Sequence, residues 1–289
     1  MTAGNQPFDA QAFKEATQDA WQSAADARVR WEPLRRRWLG PVTQAMFDLA
    51  HLGSGDRVLD IGSGTGEPAL SAVEVVGPTG YVLATDISSN MLDVAERTAR
   101  ERGLDSANFE TRAMDGENLE LEDASFDVVL SRLGLIFFPN RERALSEIRR
   151  VLRPGGRVAL AGFTSPEHNR FFSIPIAIIR RRAQLPAPPP GGPGPFSLGD
   201  QAVMEASLRQ AGFSDVEVRL VAAPLRLSSA AEFLQYLRDA FAALHQMLAG
   251  LSDTEREAVW DEVEREMRAY EGADGFEIPA ELLVGVAAK

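Results

Sequence analysis

The chain has 289 residues, with 30 basic and 42 acidic side chains, three histidines and no cysteine. The net charge of -12 disfavours a nucleic-acid partner, because phosphate binding requires a basic surface. The absence of cysteine excludes disulfides, thiolate metal sites and a cysteine nucleophile.

Residues 1–50 are predicted to form a helical lead-in that also serves as part of a lid. Apolar residues recur at helical spacing through polar, alanine-rich sequence, and Pro33 and Pro41 are expected to interrupt the pattern. Two arginine runs, LRRRW at 34–38 and IIRRR at 178–182, are interpreted as solvated faces or helix ends. We see neither a secretory signal nor an apolar run near the ~20 residues that cross a bilayer, so we expect a cytoplasmic protein without a membrane span.

Residues 51–165 are predicted to form the core of the fold. Short β-rich runs, namely RVLDI, GYVLATDI, NFETRAM, FDVVLSRL and GRVALAGF, alternate with stretches of helical spacing that end on Gly or Pro-Gly. Strands separated by helices of this length require crossover connections. The pattern therefore predicts a mainly parallel sheet with helices on both faces.

The regular alternation stops after the fifth predicted strand. Residues 166–199 join the apolar stretch FFSIPIAIIRRR to LPAPPPGGPGPFSLGD, where prolines and glycines are dense enough to prevent a regular helix or strand. We interpret this region as an ordered lid segment, because a disordered linker rarely has so apolar a neighbour. Residues 200–289 are expected to complete the core with the strands VEVRLVAAPLRL and ELLVGVAAK, with inserted helices at 230–271.

A glycine-rich turn follows the first predicted strand, with Gly62, Gly64 and Gly66 in the sequence VLDIGSGTGEPA. A strand, a bare turn and a helix N-terminus together present backbone amides to an anionic or polar ligand. Both dinucleotides and S-adenosylmethionine are bound in this way. The dinucleotide spacing G-x-G-x-x-G is not matched, and Glu67 would face the phosphates.

Two acids downstream are placed to bind an adenosine. Asp86 ends the second predicted strand, where a carboxylate can accept hydrogen bonds from both ribose hydroxyls, and Ser88 or Ser89 can cap the next helix instead. Asp115 follows the third strand and could accept from the adenine amino group, while Met114 packs on the ring.

These motifs resemble those of class I S-adenosylmethionine-dependent methyltransferases, and among them the quinone-biosynthesis C-methyltransferases and similar small-molecule enzymes. The matching motifs are VLDIGSGTG, ATDIS, MDGENL, SFDVVLSRLGLIFFPN and LRPGGRVAL, and they span residues 57–163. The resemblance implies a Rossmann-like α/β fold, which is doubly wound around a mainly parallel seven-stranded sheet with an antiparallel last strand and helical lid insertions. It does not identify the substrate.

The resemblance also implies which residues bind the cofactor. The glycine turn would wrap its methionine part, Asp60 would orient that turn and help to hold the ammonium group, and Trp31 would cover the amino-acid end. Asp86 would hold the ribose, and residues at the end of the fourth strand would line the pocket beside the reactive methyl. The implied set is Trp31, Asp60, Gly62, Ser63, Gly64, Gly66, Asp86, Ile87, Met91, Met114, Asp115, Gly116, Ser131, Arg132 and Leu133.

The chemistry implied by this cofactor is methyl transfer, which leaves S-adenosyl-L-homocysteine. The sulfonium activates its own methyl, so the protein mainly aligns the reactants. A phenol, enol or amine acceptor must usually lose a proton, and His168 and His245 are the candidate bases. No cluster at metal-ligand spacing is visible in the sequence, so we expect no metal.

We therefore predict methyl transfer to carbon, oxygen or nitrogen of a small hydrophobic or aromatic metabolite, since the lid residues are apolar and aromatic. Two alternatives stay open at this point. One is an NAD-dependent oxidoreductase, and the other is a non-catalytic, cofactor-binding regulatory protein. The sequence leaves the acceptor and the oligomeric state undetermined.

Overall fold

The computed structural model describes residues 8–104, 108–186 and 191–289. The helices are α1 (Ala10–Arg30), α2 (Glu32–Ala50), α3 (Ala69–Val76), α4 (Ser89–Glu101), α5 (Arg141–Val151), α6 (Arg170–Arg182), α7 (Gln201–Gln210), α8 (Ala230–Ala240), α9 (Ala242–Met247) and α10 (Asp253–Met267). The strands are β1 (Arg57–Ile61), β2 (Tyr81–Asp86), β3 (Phe109–Ala113), β4 (Phe126–Arg132), β5 (Leu152–Phe163), β6 (Ser214–Ala222), β7 (Leu225–Leu227), β8 (Glu271–Gly272), β9 (Gly275–Ile278) and β10 (Glu281–Ala288).

The main sheet has seven strands in the order β3-β2-β1-β4-β5-β10-β6, and β10 is antiparallel to both of its neighbours. The predicted fold class is therefore confirmed. The central strands are buried on both faces, as expected when crossover helices cover a parallel sheet. This topology brings the carboxyl ends of β1, β2, β3, β4 and β5 to one edge, where ligands bind in such sheets.

The N-terminal helices differ from expectation at Pro41. Pro33 lies in the first turn of α2, where its missing N–H is tolerated, but Pro41 lies inside that helix without ending it. Apolar side chains on both sides of Pro41, including Trp38 and Met46, are buried against the core. Their burial holds one continuous helix through the proline.

The lid segment 166–199 also contains more regular structure than we expected. Residues Arg170–Arg182 form α6, with Pro175 inside the helix and Phe171 and Ile179 fully buried. The second arginine run does end a helix, and both Arg181 and Arg182 pair with Glu262 of α10. Residues 187–190 of the predicted proline-rich stretch lie outside the described residues.

One predicted strand, VEVRLVAAPLRL, is divided in the structure. Its first part lies in β6 of the main sheet. Its last part forms β7, beyond Pro224, which joins β9 and β8 in a separate antiparallel sheet. The inserted helices α8 and α9 meet at Phe241, whose backbone is non-helical. Across the described ranges, no helix combines the length and apolarity needed to span a bilayer.

Candidate active site

A cavity of about 290 Å³ lies at the carboxyl edge of the sheet. Its floor is formed by residues after β1, β2 and β4, and its walls come from α1, α2, α6, α8 and α9. The volume is at the lower end of the range for small-molecule sites, about 300 to 1,000 Å³. We divide the cavity into a donor half, beside the glycine turn, and an acceptor half, beneath α6, α8 and α9.

The glycine turn in the donor half requires the absence of side chains. Gly62 and Gly64 have φ of 69° and 55°, in the left-handed region that favours glycine. A Cβ at Gly62 would lie 2.9 Å from the Cα of Gly134, so a larger residue would push the turn away from the end of β4. The backbone N–H of Ser63 donates to the Thr85 carbonyl at 3.0 Å and fixes the turn against β2.

Asp86 connects this turn to α4. Its Oδ2 accepts from the Gly64 N–H and its Oδ1 from the Ser88 N–H, each at 2.9 Å. The Ser88 hydroxyl caps α4 at Met91, as predicted. Burial raises the pKa of Asp86, while the two backbone hydrogen bonds act in the opposite direction. Since each carboxylate oxygen has a second lone pair, Asp86 retains acceptors that face the cavity.

Lys14 of α1 reaches the acids expected at the adenine end. Its Nζ lies 2.7 Å from both Asp115 and Glu117. Burial opposes the charge of Lys14, but the hydrogen bonds to the two carboxylates outweigh it and raise the pKa. Helix α1 is thereby attached to the loop after β3 and closes one side of the cavity.

Arg28 is a cation above the glycine turn. Its guanidinium carbon lies 4.5 Å from the centre of the Trp21 ring, and its Nη1 lies 3.7 Å from the position of a Cβ on Gly64. Within the described residues Arg28 makes no ion pair, and its buried Nε has no hydrogen-bond partner. Burial, with a further contribution from the charge of Arg35, lowers the pKa of Arg28 to about 9.

Two further arginines line the same cavity. The Nη1 of Arg35 lies 3.2 Å from Thr65 Oγ1 and 3.7 Å from the Glu32 carboxylate. Arg132 donates to Thr43 Oγ1 at 2.6 Å and to the Glu67 carbonyl at 3.0 Å. Burial and the charge of Arg35 lower the pKa of Arg132 to about 10.

The position of Arg35 corrects our interpretation of the run 34–38. Arg36 and Arg37 are exposed, as expected for a solvated helix face, but Arg35 points into the cavity. In a helix, residues three or four apart share a face, so Arg35 lies with Trp38 and Leu39. Both of those residues are buried cavity-lining side chains.

The acceptor half is aromatic and apolar. Tyr236 is buried between Trp31 and Phe241, with ring centres 5.3 Å away on each side. Its hydroxyl has no hydrogen-bond partner among the described residues, and burial raises its pKa, opposed by Arg35 and Arg28. The other apolar residues that line this half are Trp38, Leu39, Ile136, Phe163, Phe172, Ile176, Pro195, Phe241, Ala243, Leu244 and Met247.

The structure brings most of the predicted cofactor residues together. Those on the cavity wall are Gly62, Ser63, Gly64, Asp86, Ile87, Met91, Met114, Asp115, Gly116, Arg132 and Leu133. Gly66 lies behind the wall, since a Cβ there would lie 2.8 Å from Leu70. Ser131 also lies behind it and donates to the Ile61 carbonyl at 2.9 Å, joining the ends of β1 and β4.

Asp60 lies beneath the turn rather than on the cavity wall. The carboxyl group is fully buried, its Oδ2 accepts from Ala69 N–H at 3.2 Å, and its Oδ1 has no partner in the described part of the chain. Burial raises the pKa of Asp60 to about 8. A buried carboxyl group with a raised pKa therefore supports the turn.

Trp31 is likewise set back from the cavity. Its Nε1 donates to Asp239 at 2.9 Å, and its ring packs edge-on against Tyr236. Trp21, which lies within α1, is the tryptophan that lines the donor half.

Neither histidine that we considered as a base reaches the cavity. His168 is 63% exposed, and its Nδ1 lies 3.1 Å from Glu281 on the surface. His245 is exposed on α9, with its Nε2 2.7 Å from the Arg238 carbonyl. The residues of that helix that line the cavity are Ala243, Leu244 and Met247.

Sequence reasoning missed the contribution of α1 to the site. Lys14, Thr17, Trp21 and Arg28 all line the cavity and are spaced by three, four and seven residues. This spacing places them on one helix face, and it was the available signal. It was obscured because that face combines charged, polar and aromatic residues and shows no apolar stripe.

Comparisons with known proteins agree with this architecture. Residues 59–160 match the family described as "Methyltransferase domain". Over 120 residues the chain is 39% identical to the ubiquinone/menaquinone biosynthesis C-methyltransferase UbiE of Pseudomonas putida (strain GB-1). The aligned residues make up 42% of this chain and 46% of that protein. The chain thus spans less than half the length of the curated relatives that it matches.

Solved structures share the fold at low identity. Phosphoethanolamine N-methyltransferase 2 of Haemonchus contortus, in complex with S-adenosyl-L-methionine, superposes with a TM-score of 0.57 at 22% identity, covering 98% of this chain and 60% of that one. The YcgJ protein of Bacillus subtilis superposes with a TM-score of 0.56 at 20% identity, covering 86% of this chain and 97% of that one. These structures confirm the fold, and the family match over residues 59–160 together with the relative at 39% identity confirms the resemblance inferred from residues 57–163.

Proposed function

We propose that this protein, whose residues 59–160 are a methyltransferase domain, binds S-adenosyl-L-methionine in the donor half and transfers its methyl group to a small apolar molecule in the acceptor half. The observation that carries the proposal is the guanidinium of Arg28 above the bare glycine turn, since it has no ion pair within the described residues and its Nε has no hydrogen-bond partner there. The turn offers backbone amides and no side chain, while Arg28 offers a positive charge. An amino acid carboxylate fits this combination.

The adenosine end is supported by a second group of contacts. Asp86 has carboxylate lone pairs left for ribose hydroxyls after it accepts from Gly64 and Ser88. Met91 and Met114 line the same part of the cavity and can pack on an adenine ring, and Asp115 lies at its edge. Asp86, Met91, Met114 and Asp115 all belong to the set implied by the sequence motifs.

In this proposal the chain acts mainly by alignment and by exclusion of water. The methyl donor supplies an activated methyl group, so no acid or base of the protein is required at the sulfur. Helices α1, α2, α6, α8 and α9 surround the site, and their side chains hold the acceptor near the end of β4. Fixed orientation of this kind can supply much of a rate enhancement.

The NAD-dependent alternative fits the site less well. The glycine spacing leaves Glu67 next to the helix N-terminus that would receive a pyrophosphate, and this carboxylate is paired with Arg102 at 2.7 Å. The site also lacks the third glycine of the dinucleotide pattern at its usual position.

The test is calorimetric titration of the purified protein with S-adenosylhomocysteine and NAD, followed by a screen of candidate acceptors with S-adenosylmethionine labelled in its methyl group. We expect binding of the nucleoside, no measurable binding of NAD, and labelled products identified by mass spectrometry. Binding of NAD alone would contradict the proposal. Cofactor binding without turnover across the screen would favour the non-catalytic alternative.

A further inference from the structure

We propose that the acceptor binds as an anion: an apolar ring compound whose ionised phenol or enol oxygen lies against Arg35 and the Tyr236 hydroxyl and is the atom that receives the methyl group. This inference rests on the proposed function and names the substrate class of the same site. It depends on the charges of the cavity wall, the position of Arg35 on α2 and the apolar surroundings of Tyr236.

The described cavity wall carries as many acidic as basic side chains. Its acids are Glu67, Asp86, Asp115 and Glu117, and its cations are Lys14, Arg28, Arg35 and Arg132. Lys14 pairs with both Asp115 and Glu117, which leaves one negative charge at the adenine end. Glu67 is bound by Arg102, a residue outside the cavity, and by Ser71. Among the described residues Arg28 and Arg132 have no ion pair, and Arg35 has Glu32 at 3.7 Å.

The methyl donor makes the cavity more positive. It carries a sulfonium and an ammonium group against one carboxylate, so its binding adds positive charge to the cavity. Arg28, above the glycine turn, is adjacent to the expected carboxylate. Among the described residues Arg132 has no ion pair and Arg35 has Glu32 at 3.7 Å, and charges away from water that are not fully paired are unfavourable. A second anion, brought by the acceptor, would stabilise the filled site.

Arg35 is the cation best placed for that anion. It shares a face of α2 with Trp38 and Leu39, which line the acceptor half. One of its nitrogens, Nη1, is engaged with Thr65 and Glu32, whereas its Nε and Nη2 have no hydrogen-bond partner within the described ranges. Arg132, in contrast, uses both terminal nitrogens on Thr43 and Glu67.

The surroundings favour a flat apolar ring. Trp38 stacks with Phe163 with their ring centres 6.1 Å apart, and the ring centres of Phe172 and Phe241 are 5.1 Å apart. Tyr236 provides the one hydroxyl among the aromatic residues that line this half of the described cavity. An oxygen held by Arg35 could also accept a hydrogen bond from Tyr236, because charge-assisted hydrogen bonds to an oxyanion are the strong ones.

If the acceptor binds as the anion, the site needs no general base. This agrees with the positions of His168 and His245, which do not line the cavity. The positive potential of the arginines lowers the pKa of a bound phenol or enol, and its proton leaves to solvent. The ionised oxygen then forms a bond to the methyl carbon, the carbon–sulfur bond breaks, and its electron pair stays on sulfur, which yields a neutral ether and a neutral thioether. Methylation at carbon would additionally need a group to remove the displaced ring proton.

The test uses 4-nitrophenol and 6-nitro-2-naphthol, whose ionised forms have distinct absorption spectra, with the full chain saturated by S-adenosylhomocysteine. We expect the pKa of each bound probe to fall by at least about one unit, which means that the anion binds at least about tenfold tighter than the neutral phenol. Arg35→Gln should abolish the shift, and Tyr236→Phe should reduce it. Arg37→Gln, an exposed neighbour on the same helix, should retain it in full.

Several outcomes would overturn this inference while the proposed function stands. The first is normal binding of S-adenosylhomocysteine with no shift in the pKa of either probe, or with no binding of either probe. The second is equally tight binding of 4-nitroanisole, which cannot ionise. The third is a product from the acceptor screen whose ¹³C-methyl group, located by NMR, lies on carbon or nitrogen. Failure of S-adenosylhomocysteine to bind would instead contradict the proposed function.

Discussion

The two halves of the cavity are built in different ways. Most of the donor half is formed by backbone and by side chains within one run of the chain, from the turn after β1 to the loop after β3, and α1 closes it with Lys14, Trp21 and Arg28. The acceptor half is assembled from helices far apart in sequence, including α2, α6, α8 and α9, and it is formed by side chains. The comparison teaches that the donor half is specified by a local motif, whereas the acceptor half depends on packing.

The same difference determines what each half can recognise. Bare glycines and a strand-end acid at fixed positions suit one invariant ligand. Aromatic side chains on inserted helices can vary without disturbing the sheet, so they can define an acceptor particular to this protein. The predictions below test whether the halves are as separable as this comparison implies.

The largest expected effect is at Asp86. Asp86→Ala removes the acceptor for the Gly64 and Ser88 amides and for the ribose, so we expect S-adenosylhomocysteine to bind about 30-fold more weakly, or about 2 kcal/mol. Calorimetry measures the affinity. Asp93→Ala, an exposed acid of α4, is the matched control and should bind as the wild type does. An unchanged affinity in Asp86→Ala would show that Asp86 does not contribute to binding in the donor half.

The next effect is expected at Arg28. Arg28→Met keeps an apolar stem but removes the charge, and we expect about a tenfold loss of S-adenosylhomocysteine affinity, or about 1.4 kcal/mol. Affinity for 5′-methylthioadenosine, which lacks the amino acid carboxylate, should not change. Arg30→Met, which alters an exposed residue of the same helix, should leave both affinities intact. Equal losses for both ligands would mean that Arg28 shapes the cavity in general.

A smaller effect concerns pH and the support beneath the donor half. The pKa of Asp60 is raised from an ordinary value of 3.8 to about 8, so the folded state binds a proton that the unfolded state releases above about pH 4. The resulting stabilisation is complete below that pH and is lost as the pH rises toward 8. Asp60→Asn cannot ionise, so its free energy of unfolding should decline less over this range.

Urea denaturation from pH 5 to 9 checks this expectation. The difference in unfolding free energy between Asp60→Asn and the wild type should increase in favour of the variant by at least about 1 kcal/mol. Parallel pH profiles for the two proteins would show that Asp60 does not titrate with a raised pKa.

The smallest effect is expected at Lys14, which attaches α1 to the donor half. Lys14→Met removes two partly exposed ion pairs, each of which contributes at most about 1 kcal/mol. We expect a loss of S-adenosylhomocysteine affinity of about threefold, expressed mainly as faster dissociation in stopped-flow measurements. A loss comparable to that of Asp86→Ala would instead make α1 an integral part of the donor half.

The sequence was sufficient for the sheet and for the strand-end part of the donor half because their signals are local, but it missed the α1 residues Lys14, Trp21 and Arg28. Strand periodicity, the glycine spacing and the acid at the end of β2 each lie within a few residues of the contacts that they make. Ser88 was also assigned correctly as a helix cap. The order of the strands followed from the resemblance rather than from periodicity.

The acceptor half and the α1 wall of the donor half could not be predicted in the same way. Which tryptophan of the lead-in faces the cavity depends on how α1 rotates against the sheet, and Trp21 rather than Trp31 lines it. Arg35 belonged to a run that normally indicates solvent, and only the packing of α2 turns it inward. His168 and His245 were chosen by position along the chain, whereas their side-chain directions are set by Glu281 and by the Arg238 carbonyl.

The most direct test of the account is a crystal structure of the protein with S-adenosylhomocysteine. The account predicts the ribose on Asp86, the carboxylate beside Arg28 and the sulfur directed toward the aromatic acceptor half. A nucleoside bound elsewhere, or one whose carboxylate lies away from Arg28 and whose sulfur faces solvent, would contradict it.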